Sequence, residues 1–159
     1  MPGAGKSGVG KRLAEKLGLA FIDTDALVEK SEGMIVADVF AQKGEAYFRA
    51  REREAVQQAA KKCAVISCGG GVPLWEENVR ALQQNGTVVY LYATVQTLCA
   101  HVGNGAGRPL LAGDARERIE KLFAERAAAY RAAADAVIVT DGKSVEEVAD
   151  EAARLWRSV

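Results

Sequence analysis

Cysteine is scarce in this chain: Cys63, Cys68 and Cys99 are odd in number and show neither C-x-x-C nor zinc-ligand spacing, which excludes a disulfide framework and a metal finger. They read as small buried apolar residues. Net charge is missing too, with 21 Lys and Arg against 21 Asp and Glu, so no whole-chain field points toward nucleic acid or a membrane surface. No apolar run approaches the ~18 residues that span a bilayer, and no signal-like segment precedes the first motif, so a cytoplasmic protein is expected. Proline is confined to Pro2, Pro73 and Pro109, all in Gly-rich loops. A length of 159 residues fits one domain with a proper core.

What the chain does have begins at once. Met1-Pro-Gly-Ala-Gly-Lys-Ser7 is the phosphate-gripping loop G-x-x-x-x-G-K-[ST] without its first glycine. In such a loop the backbone N–H groups of residues such as Gly3, Ala4, Gly5 and Gly8 face phosphate oxygens, Lys6 reaches the terminal phosphates and Ser7 ligates Mg²⁺. A nucleoside triphosphate is the implied ligand. A helix should follow, because Val9, Leu13 and Leu17 form one apolar stripe at i, i+4, i+8. The strand expected ahead of the loop is not in the sequence, and a chain truly starting at Met1 is expected to be unstable and to bind ATP poorly.

Strands and helices then alternate. Apolar stretches at Leu19–Asp23, Ala64–Cys68, Val88–Tyr92 and Ala136–Thr140 read as strands buried on both faces. Helical patterns cover Asp25 to about Glu32, Ile35–Lys43, Glu45–Lys62, Thr94–His101, the Ala-rich run to about Ala134, and a last helix marked by the Ser144/Glu147 capping-box spacing. The pattern predicts a three-layer α/β/α fold around a parallel sheet, with ligands at the carboxyl ends of the strands, where the Gly-rich loops gather.

Several residues carry chemistry. Asp23 and Asp25 close the second expected strand, and alternate side chains on a strand share a face, about 7 Å apart. One carboxylate can hold the Mg²⁺ shell while the other accepts a hydrogen bond from an attacking hydroxyl. The plainer reading makes Asp25 a helix N-cap and Asp23 a turn residue. Gly69-Gly70-Gly71 directly after a strand suggests close backbone approach to a ligand, or a flexible turn. The segment Gly103–Gly113 has four glycines and one proline, which suits a lid carrying Arg108 over the reacting phosphates. Glu52, at i+3 from Arg49, either orients that guanidinium or is an ordinary surface pair.

Gly3-Ala-Gly-Lys-Ser7, Asp23-Thr-Asp25, Gly44-Glu-x-x-Phe-Arg49 with Glu52, Gly69-Gly-Gly71 and Arg108-Pro-Leu-Leu-Ala-Gly113, in this order, resemble the shikimate kinase family from the first residue to the last helix. The resemblance implies a single domain over 1–159 with the nucleoside-monophosphate-kinase-like P-loop fold, five parallel strands of which the first is missing here, and a lid at about 102–115. It implies transfer of the γ-phosphoryl of ATP to the 3-hydroxyl of shikimate, with Mg²⁺ as cofactor, by a monomer that uses neither nucleic acid nor membrane.

Carried over by position, Lys6, Asp25 and Arg108 would be catalytic, and Ser7 and Asp23 would serve the metal. Gly3 to Gly8, His101 and Arg108 would meet ATP, and Asp25, Arg49, Gly69, Gly70, Gly71 and Arg126 the acceptor. A guanidinium meets a carboxylate bidentately, so arginines at 49 and 126 suit an acidic acceptor. By its own surroundings, though, Arg126 reads as a solvated helix charge. Two positions depart from the family pattern. Gly8 stands where a second hydroxyl is common, and His101 stands where an arginine is usual near the adenine; it either stacks on the base or simply favours a helix C-terminus. The competing readings are a kinase for another small acceptor, such as gluconate or a nucleotide, and a nucleotide-binding relative without turnover.

Overall fold

The structure is a computed structural model that describes residues 1–103 and 115–157. In chain order the elements are α1 (Lys6–Leu17), β1 (Ala20–Asp23), α2 (Thr24–Glu32), α3 (Val36–Ala59), β2 (Ala64–Ser67), a 3₁₀ turn (Val72–Leu74), α4 (Glu76–Gln83), β3 (Val89–Tyr92), α5 (Val95–Gly103), α6 (Ala115–Ala132), β4 (Ala136–Val139) and α7 (Val145–Arg157). The sequence pattern placed most of these within a residue or two. The capping box is realised as read: the Ser144 hydroxyl accepts from Glu147 N at 3.2 Å, while Ser144 N donates to Glu147 Oε2 at 2.8 Å.

The four strands form two parallel pairs. β1 lies on β2 with Ala20 opposite Ala64 and Asp23 opposite Ser67, and β3 lies on β4 with Val89 opposite Ala136 and Tyr92 opposite Val139. Among the described residues no strand bridges the pairs. Between them runs a seam, a cavity of about 660 Å³ lined by β2, by β3 and by Val9 and Leu13 of α1. Helix α1 touches both halves: Val9 packs with Ile138 and Val148, and a Cβ on Gly10 would stand 2.7 Å from the Phe21 ring of β1. Parallel pairing of the four expected strands, seen among the described residues, is what the sequence led us to expect.

Two readings need correction, and one part of the fold was missed. β4 is not covered on both faces, since Val137 and Val139 are 44% and 46% exposed; it is an apolar edge strand with one bare face. Cys63 is exposed, and Cys68 and Cys99 are only partly buried, where all three had read as buried; the three thiols are free. Helix α4 and the turn before it were not anticipated. The two helices expected on either side of Gly44 are there: α3 is two helical stretches meeting at a kink at Gly44, whose φ of 82° and ψ of 167° no L-residue adopts easily.

Candidate active site

The phosphate loop is built on glycine conformations. Gly3 and Gly5 have φ of 80° and 77°, in the left-handed region, and Gly5 caps α1 with no side chain satisfying the first N–H groups. A helix start that lacks both a side-chain cap and an acidic first turn is suited to an anion. Lys6 Nζ donates to Met1 O at 3.0 Å, and Ser7 Oγ donates to Asp23 Oδ2 at 3.3 Å. Ser7 and Asp23, 16 positions apart in sequence, thus lie side by side. A Cβ on Gly8 would meet only Val145 at 3.8 Å, so the missing hydroxyl residue is not enforced by crowding.

The two aspartates meet by a route that the strand argument did not give. β1 ends at Asp23, which is the N-cap of α2 and accepts from Asp25 N at 3.0 Å and Ala26 N at 3.4 Å. Asp25 is therefore neither on the strand nor the cap; it sits in the first turn of α2, half-buried. Its carboxyl is raised to about 6 by burial first and then by the nearby Asp23 and Glu52. It remains mostly ionised at neutral pH and is better matched to holding a proton than an exposed aspartate.

The three glycines after β2 make room for polar and charged side chains. A Cβ on Gly69 would collide with Asp25 Oδ1 and crowd Glu52 Oε1 at 2.9 Å, one on Gly70 would lie 3.3 Å from Arg126 Nη1 and 3.4 Å from the Tyr130 hydroxyl, and one on Gly71 would overlap Arg49 Nη1. Side chains from α2, α3 and α6 thereby converge on one backbone turn. The turn itself is fixed: Gly69 N donates to Thr24 Oγ1 at 2.9 Å, and Val72 N donates to Gly69 O at 3.2 Å.

Arg49 is held by a buried carboxylate. Its Nη1 donates to Glu52 Oε2 at 2.8 Å, and Glu52 is 1% exposed, which settles its role against that of a surface pair. The Arg49 guanidinium also lies over the rings of Phe48 and Phe40, at 5.3 and 5.7 Å. Arg126 donates through Nη1 to Gly70 O at 3.1 Å, so it faces this turn rather than solvent. Cys68, next to the turn, has its thiol pushed up to about 12 by burial and is no nucleophile.

Two expected residues are placed differently or not at all. His101 lies in the last turn of α5 with Nδ1 2.9 Å from Gly3 O, a contact with the phosphate loop itself. Arg108 and the Gly103–Gly113 lid segment, beyond Gly103, lie outside the described residues. Reading the sequence missed Thr24, wholly buried between the two aspartates, and Asp141, which accepts from Thr94 N at 3.1 Å and Thr94 Oγ1 at 2.8 Å and so anchors the start of α5. The position of Thr24 between two candidate carboxylates was its only signal.

Among the described residues no three His, Cys, Asp or Glu side chains cluster as a protein-only metal site. A hydroxyl and one carboxylate fit a cation that keeps its waters and takes its other ligands from phosphate, which is the habit of Mg²⁺.

Comparison with known proteins agrees with this arrangement. The family model described as shikimate kinase matches residues 2–156. A shikimate kinase of Salinispora arenicola is 46% identical over 97% of this chain and 92% of its own length, and one of Persephonella marina is 42% identical over 94% and 90%. Among solved structures, shikimate kinase from Acinetobacter baumannii in complex with shikimate superposes with a TM-score of 0.90 at 33% identity, covering 99% of this chain and 89% of that one. Shikimate kinase from Aquifex aeolicus gives a TM-score of 0.83 at 34% identity, over 98% and 91%. With that coverage and those motifs in place, the chain belongs to the shikimate kinase family of ATP-using phosphotransferases.

Proposed function

We propose that this enzyme transfers the γ-phosphoryl of ATP to the 3-hydroxyl of shikimate, with the acceptor seated on the Gly69–Gly71 turn between Asp25, Arg49 and Arg126. The observation that supports this reading is the convergence of Asp25, Arg126 and Arg49 on three successive glycines, where each stands nearest to the place a Cβ would take. Two guanidinium groups match one carboxylate, and Asp25 between them matches a ring hydroxyl.

In the step itself the acceptor oxygen bonds to the γ-phosphorus as the bond between that phosphorus and the β,γ-bridging oxygen breaks. The hydroxyl proton passes to Asp25, and ADP and shikimate 3-phosphate leave. Backbone N–H groups of residues 3–8 and Lys6 hold the phosphates, and Arg108 brings a cation to the transferring group. Ser7 and Asp23 would hold Mg²⁺, which when bound neutralises charge on the β- and γ-phosphates. His101 braces the phosphate loop at Gly3 and thereby the adenine side of the site. The reading takes the enzyme as a cytoplasmic monomer; no helix among the described residues is long and apolar enough to cross a membrane.

The test is ADP release from MgATP with shikimate, with gluconate, or with no acceptor. Release with shikimate alone is the expected result. Equal release with gluconate would assign a broader acceptor, and ATP binding with no release in any arm would leave a nucleotide-binding relative without turnover.

A further inference from the structure

Gly70 carries an arrangement that the reaction does not by itself require. Its carbonyl oxygen accepts from Arg126 Nη1 at 3.1 Å and from the Tyr130 hydroxyl at 2.7 Å. A carbonyl has two lone pairs, and both are taken. Arg126 and Tyr130 are four residues apart on α6, so one helix face delivers both donors. Tyr130 is 5% exposed, and its ring stands edge-on to Tyr90 with centroids 5.4 Å apart, which leaves the hydroxyl little freedom to point elsewhere.

We propose that Tyr130 is a positioning residue of the acceptor site: its hydroxyl holds the Gly70 carbonyl, so that Arg126 keeps its place at the turn while its remaining N–H groups serve the acceptor's carboxylate. This rests on the acceptor reading above. A guanidinium has five N–H donors and only one is recorded on Gly70, so Arg126 can engage a carboxylate without giving up the turn. If the tyrosine hydroxyl is removed, Arg126, at 3.1 Å, becomes the only side-chain donor on that carbonyl among the described residues. The guanidinium is then drawn onto Gly70, and its remaining N–H groups lose their alignment with the acceptor. Burial also keeps the phenol protonated, so the donor is present throughout the working range.

The experiment compares Tyr130→Phe, Arg126→Ala and the double variant, reading KM for shikimate and for ATP separately. Tyr130→Phe is expected to raise the shikimate KM about three- to tenfold, the size of one buried hydrogen bond, with the ATP KM unchanged. In the Arg126→Ala background the same change is expected to have little further effect. Replacement of Tyr130 by 4-aminophenylalanine, which restores an N–H donor on an unchanged ring, is expected to bring the shikimate KM back toward that of the parent.

Equal rises in both KM values, an unchanged shikimate KM, undiminished additivity with Arg126→Ala, or failure of the amino analogue to rescue would each overturn the proposal. If Arg126→Ala leaves the shikimate KM untouched, the acceptor reading falls and this inference with it. If Arg126→Ala raises that KM and Tyr130→Phe does not, only the role of Tyr130 falls.

Discussion

The Gly69–Gly71 turn and the seam between the two strand pairs are both walls of backbone, and they differ in what that backbone meets. At the turn, Thr24 accepts from the Gly69 N–H, Arg126 and Tyr130 donate to the Gly70 carbonyl, and charged side chains stand where a Cβ would be. Along the seam, β2 and β3 turn the edges not paired with β1 and β4 toward about 660 Å³ of apolar space. On the proposed function the comparison lodges specificity and stability apart: the turn would select the acceptor, and the seam, with its unfilled apolar space, would limit how firmly the scaffold holds.

The hardest test of that division is to fill the seam. In a polypeptide limited to residues 1–159, five consecutive β-branched apolar residues placed ahead of Met1, which borders the cavity, would supply a strand paired on both sides. Burial of about 1.5–3 kcal/mol per side chain, set against ordering costs of about 1–2 kcal/mol per residue and aided by the added pairing, leaves a net gain on the order of 4 kcal/mol. That corresponds to a rise of roughly 10 °C in Tm for a chain of this size. Scanning calorimetry should show the rise together with tighter ATP binding, because the same strand would steady the phosphate loop. An unchanged melting curve would mean that the seam does not limit stability.

On the turn side the largest effect belongs to Asp25→Asn. ATP binding should persist while turnover falls about 10²-fold or more, because only the handling of the acceptor hydroxyl is lost. Near-normal turnover would remove Asp25 from its role. Arg126→Ala should raise the shikimate KM about tenfold or more, the order of a charge-assisted hydrogen bond, with Tm and the ATP KM little moved. A drop in Tm as large as the seam's effect would erase the distinction between the two regions.

The smallest effect is expected far from both. Glu146 pairs with Arg12 and with Lys16, the latter at 2.5 Å, and hydrogen bonds from these two cations hold its carboxyl down at about 2 from an ordinary 4.5. Because the folded value is depressed, its contribution is fully present above about pH 4.5 and is lost as pH falls toward 2. The pair is exposed and screened, so Glu146→Gln should shift Tm by about 2 °C or less at neutral pH, and less still in high salt. A larger shift would show that the α1–α7 face matters more than exposed ion pairs usually do.

The legibility of the molecule in its sequence follows the same physics. Strands and most helices were readable because each has one dominant pattern, and the break at Gly44 because only glycine tolerates it. Helix α4 was not: Trp75, Val79 and Leu82 fall at i, i+4, i+7, but the helix is only eight residues long and its fully buried residues are Asn78 and Ala81, so the signal is brief. Nor was the bare face of β4, since Val137 and Val139 look like any buried strand residues. Asp23 and Asp25 were legible as a pair, but their geometry was not, because whether a strand ends at Asp23 or two residues later depends on which of them caps the helix. Arg126 illustrates the remaining limit. Its spacing from Tyr130 is plain in the sequence, while the carbonyl both donors seek lies 56 residues away from Arg126.

The glycine turn also has a consequence at the level of the gene. Every missense change of a glycine codon introduces a Cβ, whatever the amino acid, and at positions 69 and 71 that single carbon collides with Asp25 or Arg49. Among descendants of this sequence that still phosphorylate, codons 69 and 71 should therefore drift only through synonymous changes, while codon 70, where a Cβ would stand 3.3 Å from Arg126, admits an occasional alanine.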